Sequence, residues 1–280
     1  MSIEIFADSC CDCTPAMRNI LGLTTIPLVL RVPGTGEYID NDALDTQRLV
    51  EEMKLCKEAT GTACPSPEAY AALMREADAC FVVTLSSKLS GSYGAAMTGR
   101  ELALEEYPDK KICVVDSESA SAGELRLVIA LREWIDEGLV FEEIEARVTE
   151  LVARMKTLFV LEDLGNLVKN GRISKAAGLL GGMLGLRPIM GENGHGEIIC
   201  LEKVRGTAKS MTRLVEYVQD FTKGCKNLTL VLSYCNCMER AQELKKMIAD
   251  KCAAIAEIIL VPTRGVSTVY ANNGGVVLAF

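Results

Sequence analysis

The chain has 280 residues, which is enough for about two domains of ordinary size and for a sizeable core without disulfide staples. Hydrophobic residues make up 49% and charged residues 24%, which excludes the disordered and fibrous classes. A net charge of -8 and an aromatic content of 5% disfavour nucleic acid as a partner, because phosphates are repelled and base-stacking platforms are hard to build.

In the first half, short apolar runs alternate with helical periodicity, which is typical of βαβ units on a mostly parallel sheet. The strand-like run IEIFA precedes a helix that begins at Thr14 and Pro15 and ends near Gly22. The apolar run TTIPLVLRV follows, and Ser66 and Pro67 mark the next helix start. CFVVTLSS and KICVVDS are each followed by a helical segment. The pattern predicts strand and then helix, twice.

A different order of elements begins after a helical stretch over residues 141–154. TLFV is strand-like, and GENGHGE predicts a hairpin turn, because glycine and asparagine tolerate the positive φ of tight turns. Two further helix and strand units precede the closing run GGVVLAF. We therefore predict an α/β protein of two domains. Residues 1–160 form an α/β domain with a mostly parallel sheet and flanking helices, and residues 161–280 form an α/β domain with a mixed sheet.

Twelve cysteines are too few for a disulfide scaffold of this size. The N-terminus MSIEIFADSC lacks the basic and apolar regions of an export signal, so we expect reduced thiols in a cytoplasmic protein. The clustered cysteines have no partners at zinc spacing, and His195 is the single histidine, so we expect no metal site. The longest uncharged apolar stretch, residues 176–186, is too short to span a bilayer, so we expect no stable membrane insertion.

Four segments place small hydroxyl residues between an apolar strand and a helix. They are Asp8-Ser9, Thr62-Ala63, residues 86–92 and Asp116-Ser117. Strand ends converge at one edge of a parallel sheet, where amides and hydroxyls favour a carboxylate or a phosphate. Alternatively, the hydroxyls cap helices and the two aspartates order turns. No dinucleotide or P-loop fingerprint accompanies these segments, which disfavours a nucleotide cofactor.

A glycine-rich apolar segment and two arginines are further candidates. Small residues at positions 178, 182 and 185 leave room either for a long apolar ligand or for tight helix packing, and the spacing alone does not decide. Arg172 follows the tight turn Asn170-Gly171, and Arg205 lies in VRGTAKS. Each arginine either binds an anionic partner or is a solvated charge on a loop. The large side chains of the apolar segment are those of Leu179, Leu180, Met183 and Leu184.

Taken in order, FADSCCDCTP, TACPSPEAY, LSSKLSGSYGAA, VVDSESASAG, LEDLGNLVKNGRISKAAGLLG and EKVRGTAKS resemble the DegV family of bacterial fatty-acid-binding proteins almost end to end. The resemblance implies two α/β domains that hold a long-chain fatty acid in an apolar tunnel, with its carboxyl group near the domain junction. It also implies that a separate fatty acid kinase converts the presented carboxyl group to an acyl phosphate for phospholipid synthesis. The carrier itself would not be a catalyst and would need no cofactor.

The resemblance also assigns roles to residues. Thr62 matches a family threonine that binds the ligand carboxylate, and Ser90 with the amides of Gly91 and Ser92 matches the second half of that site. The apolar segment would line the acyl-chain pocket. Near the C-terminus the family usually has H-T-G-x-G where this chain has YANNG. We therefore expect Tyr270 or Asn272 in place of the family histidine.

Arg172 matches the arginine of the family segment G-R-I-S, which is implicated in docking on the kinase, and Arg205 is similar to another basic position of that face. Two other functions stay open at this point. Asp8 and Asp116 would serve as acid and base in an enzyme acting on a carboxylated or phosphorylated metabolite. Twelve cysteines would also suit a thiol or metal protein.

Overall fold

The computed structural model describes residues 2–174 and 185–280. In the first half a 3-10 turn spans Ser9–Cys11. The strands there are β1 (Ile3–Asp8), β2 (Leu23–Ile26), β3 (Val29–Val32), β4 (Gly36–Ile39), β5 (Gly61–Ala63), β6 (Ala79–Thr84) and β7 (Lys111–Asp116). The helices there are α1 (Pro15–Leu21), α2 (Thr46–Leu55), α3 (Pro67–Glu76), α4 (Ser92–Glu106), α5 (Ala122–Asp136) and α6 (Phe141–Arg154).

The second half contributes further strands and helices within the described ranges. The strands are β8 (Thr157–Val160), β9 (Ile189–Glu192), β10 (Ile198–Glu202), β11 (Leu228–Tyr234), β12 (Ile255–Pro262) and β13 (Val276–Ala279). The helices are α7 (Gly165–Lys169), α8 (Thr207–Phe221), α9 (Met238–Lys251) and α10 (Gly265–Ala271).

The local signals in the sequence act as predicted at the first helix. The Thr14 hydroxyl accepts a hydrogen bond from the Met17 amide at 3.4 Å, and Pro15 occupies the first helical turn. Gly22 ends α1 with φ of +59°, a left-handed conformation that glycine adopts without a Cβ penalty. Ser66 caps α3 in the same way, through the Ala69 amide at 3.2 Å.

The predicted α/β fold is confirmed. The first sheet has the order β2-β1-β6-β7, and all its pairings are parallel. The second sheet has the order β10-β9-β8-β13-β11-β12 and is mixed, since only β11 and β12 pair in parallel there. The predicted hairpin is the antiparallel pair β9 and β10.

A third sheet, of order β4-β3-β5, is antiparallel and has no counterpart in the sequence prediction. It arises because the apolar run TTIPLVLRV divides at Pro27, which has no amide hydrogen for a ladder. β2 joins the parallel sheet and β3 leaves it. Thr62 lies on β5, so it belongs to this small sheet and not to the edge of the parallel sheet, where we predicted it.

Helix α5 lies between the two large sheets. It contacts β1 and β6 of the first sheet and β11 and β13 of the second. Nine of its 15 residues are buried, which is why its apolar pattern is broad and not a single stripe. The proposed division at residue 160 stays a prediction, and β8, which directly precedes it, belongs to the second sheet.

None of the described helices combines the length and apolar composition that crossing a bilayer requires.

Helix α4 contains two glycines in opposite environments, which permits a matched test of its packing. A Cβ at Gly99 would lie 2.7 Å from the Pro67 carbonyl oxygen and 2.8 Å from the Tyr70 Cβ, whereas a Cβ at Gly94 would meet nothing within 4 Å. We expect Gly99→Ala to lower the unfolding free energy by about 1–3 kcal/mol, because α3 must shift. Gly94→Ala should raise it by about 0.5–1 kcal/mol through helix propensity. Denaturant titration of both variants tests this, and equal effects would contradict it.

Candidate binding cavity

A cavity lies between the two halves of the chain, and its wall is largely apolar. A concave, mostly apolar surface with a few polar groups is typical of small-molecule sites. The larger apolar side chains that line it come from both halves and include Leu28, Leu85, Leu89, Phe159, Leu161, Leu167, Ile198, Val266 and Val277.

Strand β8 shows how one sheet can both fill a core and line a cavity. Successive side chains of a strand point to opposite faces. Thr157 and Phe159 line the cavity, and so does Leu161, which follows the strand. Leu158 and Val160 pack on the opposite face, in the core formed with α8 and α9. The cavity is therefore the space above one face of the second sheet.

Hydroxyl groups of Thr62, Ser90 and Tyr270 line the same cavity. The Thr62 Oγ1 and the Tyr270 hydroxyl oxygen are 2.9 Å apart. One hydroxyl donates to the other, which leaves one hydrogen available to an acceptor in the cavity. Both side chains are half-buried. The structure thus brings together three of the residues that the sequence singled out.

Gly91 and Ser92 follow Ser90 at the start of α4. The Ser90 Oγ accepts a hydrogen bond from the Ser92 amide at 3.2 Å, and the two hydroxyl oxygens are 3.0 Å apart. Ser92 is fully buried at the start of α4, and neither Gly91 nor Ser92 is among the residues that line the cavity. Their predicted contact with a carboxylate stays a prediction.

The two arginines occupy different surroundings. Arg172 is half-buried and lines the cavity, and its Nε donates to the Leu89 carbonyl at 3.0 Å. Arg205 is exposed and away from the cavity, where its backbone bridges to that of Leu186. The predicted acyl-chain residues Leu179, Leu180, Met183 and Leu184 lie outside the described residues.

Asp8 and Asp116 hydrogen-bond backbone amides. The Asp8 carboxylate accepts from the amides of Cys10 at 3.0 Å and Leu85 at 2.9 Å. Asp116 accepts from the amides of Ser87 at 3.0 Å and Glu118 at 3.2 Å. Both side chains therefore order the loops beside the cavity, as the alternative interpretation of these segments held.

The cysteines are unpaired, and burial raises the pKa of several of them, Cys10 and Cys80 included. Within residues 2–174 and 185–280, no group of three or more His, Cys, Asp or Glu side chains is arranged to hold a metal ion.

Comparison with known proteins identifies the family. The model of the DegV family of uncharacterised proteins matches residues 2–280. This chain belongs to the DegV family. The resemblance seen in the sequence is confirmed.

Three relatives are similar to this DegV chain over nearly their whole length. A DegV domain-containing protein from Streptococcus pneumoniae is 34% identical, covering 100% of this chain and 99% of its own. A DegV-family protein from Ruminococcus gnavus, solved with vaccenic acid, is 35% identical with a TM-score of 0.93 and covers 100% of both chains. The fatty acid kinase B3 protein of Streptococcus pneumoniae, solved with linoleic acid, is 34% identical with a TM-score of 0.88, covering 100% and 99%.

This DegV chain also buries acidic side chains that the sequence did not single out. Glu124, in the first turn of α5, is fully buried, and neither of its carboxyl oxygens has a hydrogen-bond partner in the described structure. Burial, and then the charge of Asp8, raise the pKa of Glu124 well above its usual range. Burial raises the pKa of Asp12 to about 7. Burial and a neighbouring carboxylate both favour the protonated form of a carboxyl group.

The sign of the resulting pH dependence follows from proton binding. Carboxyl groups of the unfolded chain lose their protons near pH 4, whereas folded Glu124 keeps its proton at higher pH. We expect the unfolding free energy to fall as pH rises from about 4 towards the raised pKa. Glu124→Gln keeps the shape and has no proton to lose, so its curve should be flatter by up to about 1.4 kcal/mol per pH unit.

Denaturant titrations between pH 4 and 8 provide the measurement. Glu101→Gln is the matched control, since Glu101 is exposed on α4 and its replacement should leave the slope unchanged. Parallel curves for the wild type and Glu124→Gln would show that Glu124 does not retain its proton on folding.

Proposed function

We propose that this protein binds a long-chain fatty acid in the cavity, with the carboxylate at Thr62, Ser90 and Tyr270. The observation that carries the proposal is an apolar cavity whose wall also presents these three uncharged hydroxyl groups. Two relatives of known structure support the proposal, since one is solved with vaccenic acid and the other with linoleic acid.

The acyl chain would supply most of the affinity. Burial of a methylene group is worth about 0.8 kcal/mol, so a chain of about sixteen carbons offers on the order of 12 kcal/mol before ordering costs. Phe159, Leu161 and Val277 would contact the acyl chain on the side of the second sheet. Leu28 and Leu85 provide apolar contact on the other side. The residues predicted for the acyl-chain pocket, Leu179, Leu180, Met183 and Leu184, belong to this proposal.

The head group needs hydrogen bonds, because a carboxylate drawn out of water without them is costly. The free hydrogen of the Thr62 and Tyr270 pair would provide one, and the Ser90 hydroxyl a second. The guanidinium of Arg172 lines the same cavity, but its Nε is committed to the Leu89 carbonyl. Uncharged donors would hold the carboxylate while leaving it reactive towards ATP.

We further propose that the protein is a non-catalytic carrier that presents this carboxylate to a fatty acid kinase in the cytoplasm. A relative 34% identical over the full chain is the kinase B3 protein. Arg172 and Arg205 would contact the kinase. Both are cations, which suits a partner that also handles phosphate.

The first test concerns retention of the ligand. Protein purified from a bacterial host should release long-chain fatty acid in denaturing mass spectrometry. In a binding titration with oleate, Thr62→Ala and Ser90→Ala should each weaken affinity about ten- to a hundredfold, because a hydrogen bond to a charged group contributes about 1.5–3 kcal/mol. Ser87→Ala is the control, since Ser87 lies exposed on the same loop. Protein that carries no lipid and does not bind oleate would overturn the proposal.

The second test separates binding from presentation. Arg205 is exposed and does not line the cavity, so Arg205→Ala should keep oleate affinity within twofold and slow acyl-phosphate formation by a fatty acid kinase about tenfold or more. Arg172→Ala is less specific, because Arg172 also holds the loop that carries Ser90. Arg154→Ala, exposed on α6, should change neither quantity. Unchanged kinase turnover in Arg205→Ala would show that the docking face lies elsewhere.

A further inference from the structure

We propose that Asp40 is a positioning residue for the carboxylate site: it anchors the N-terminus of α10 to the three-stranded sheet, and thereby sets the Tyr270 hydroxyl beside Thr62. The inference rests on the proposed function, since it assigns the residue that holds one of the proposed ligand donors in place. Asp40 itself does not line the cavity.

Asp40 directly follows β4 and is 4% exposed. Its Oδ1 accepts a hydrogen bond from the Gly265 amide at 2.8 Å, and its Oδ2 accepts from the Val266 amide at 2.9 Å and from the Ser9 hydroxyl at 2.9 Å. The first amides of a helix have no acceptor within the helix. The residue before α10 makes no side-chain cap, and Asp40, from the other half of the chain, caps the helix instead.

Asp40 lies so close to the first residue of α10 that this position, 265, requires glycine. A Cβ at Gly265 would lie 2.5 Å from the Asp40 Oδ1 and 2.4 Å from the Leu44 Cδ2. These distances are shorter than any van der Waals contact, so the helix backbone rests directly on the segment that follows β4. Any larger residue at position 265 would push α10 away from the sheet.

Arg264, which precedes the helix, is held to the same region. Its amide donates to the Asp12 Oδ1 at 2.6 Å, and its guanidinium donates to the Asn41 carbonyl at 3.0 Å and to the Asp42 Oδ1 at 2.9 Å. The N-terminal end of α10 is thus fixed by a set of side chains and carbonyls from the first half of the chain.

The C-terminal end of α10 meets the same small sheet through Tyr270 and Thr62. Thr62 on β5 pairs with Leu30 on β3, and the Asp40 amide donates to the Leu28 carbonyl at 2.9 Å. One contact point of the helix, Thr62, therefore lies in this sheet, and the other, Asp40, directly follows its strand β4. A helix of 7 residues is about 10 Å long, so a displacement at one end carries over to the other.

Asparagine cannot replace the carboxylate here. Three donors converge on the two oxygens of Asp40, and asparagine has one acceptor oxygen and an amide group that would face an N–H donor. Asp40→Asn keeps the volume of the side chain but breaks at least one anchor of α10. The expected consequence is a misplaced Tyr270 hydroxyl with an intact acyl-chain cavity.

The experiment compares oleic acid with oleyl alcohol, which has the same chain and no carboxylate. The readout is the ratio of the two dissociation constants in the wild type, in Tyr270→Phe, in Asp40→Asn and in the double variant. We expect the preference for the acid to fall about tenfold in Tyr270→Phe and at least fivefold in Asp40→Asn. The double variant should be within twofold of the more affected single variant, because both changes remove the same contact.

The control is Glu37→Gln, an exposed change on β4 of the same sheet, which should leave the ratio unchanged. Unchanged affinity for oleyl alcohol reports an intact fold in each variant. If Asp40→Asn does not fold, Arg264→Ala removes only the guanidinium contacts to Asn41 and Asp42 and should give a smaller, equally non-additive loss.

Two outcomes would overturn the proposal: a wild-type ratio in folded Asp40→Asn, or single effects that multiply in the double variant. A wild type that binds neither ligand would instead overturn the proposed function. If Tyr270→Phe reduces the preference for the acid and Asp40→Asn does not, the proposed fatty-acid site is retained and only the role of Asp40 is removed.

Discussion

The hydrogen bond between the hydroxyls of Thr62 and Tyr270 joins residues 208 positions apart in the chain. Both residues line the cavity, and the bond forms only when the small three-stranded sheet of the first half meets α10 of the second. Neither side chain makes a carboxylate site alone. The proposed ligand donors are therefore a product of the way the two halves of the molecule pack together.

The cavity borders the core that lies between the two large sheets. The two faces of the second sheet differ by alternation: Leu158 and Val160 pack in the core formed with α8 and α9, and Phe159 on the other face lines the cavity. The buried apolar residues of helix α5 pack in the same core, between the two large sheets. Phe159, Leu161 and Val277 belong to this core and also line the cavity, so a ligand would contact the core directly.

Buried carboxyl groups beside this region are bonded mainly to backbone amides and hydroxyl groups. Asp8 and Asp40 are each satisfied by backbone amides, and Asp12 by the Arg264 amide and the Ser121 hydroxyl. Such bonds to a charged acceptor offset part of the desolvation cost and fix the loops that they join. The result is a set of loops and a short helix held at defined positions around the cavity, which a site that orients a head group requires.

The sequence by itself determined the α/β class, the parallel first sheet, the hairpin between β9 and β10, and the helix starts at Thr14 and Ser66. Each of these depends on a signal within a few residues: a hydrophobic period, a cap or a turn glycine. It also singled out Thr62, Ser90 and Tyr270, through motifs that resemble a family. Only the tertiary structure decided that Thr62 lies in a separate sheet, that Asp40 caps α10, and that Glu124 is buried. These features depend on contacts between residues far apart in the chain, for which a single sequence carries no local pattern.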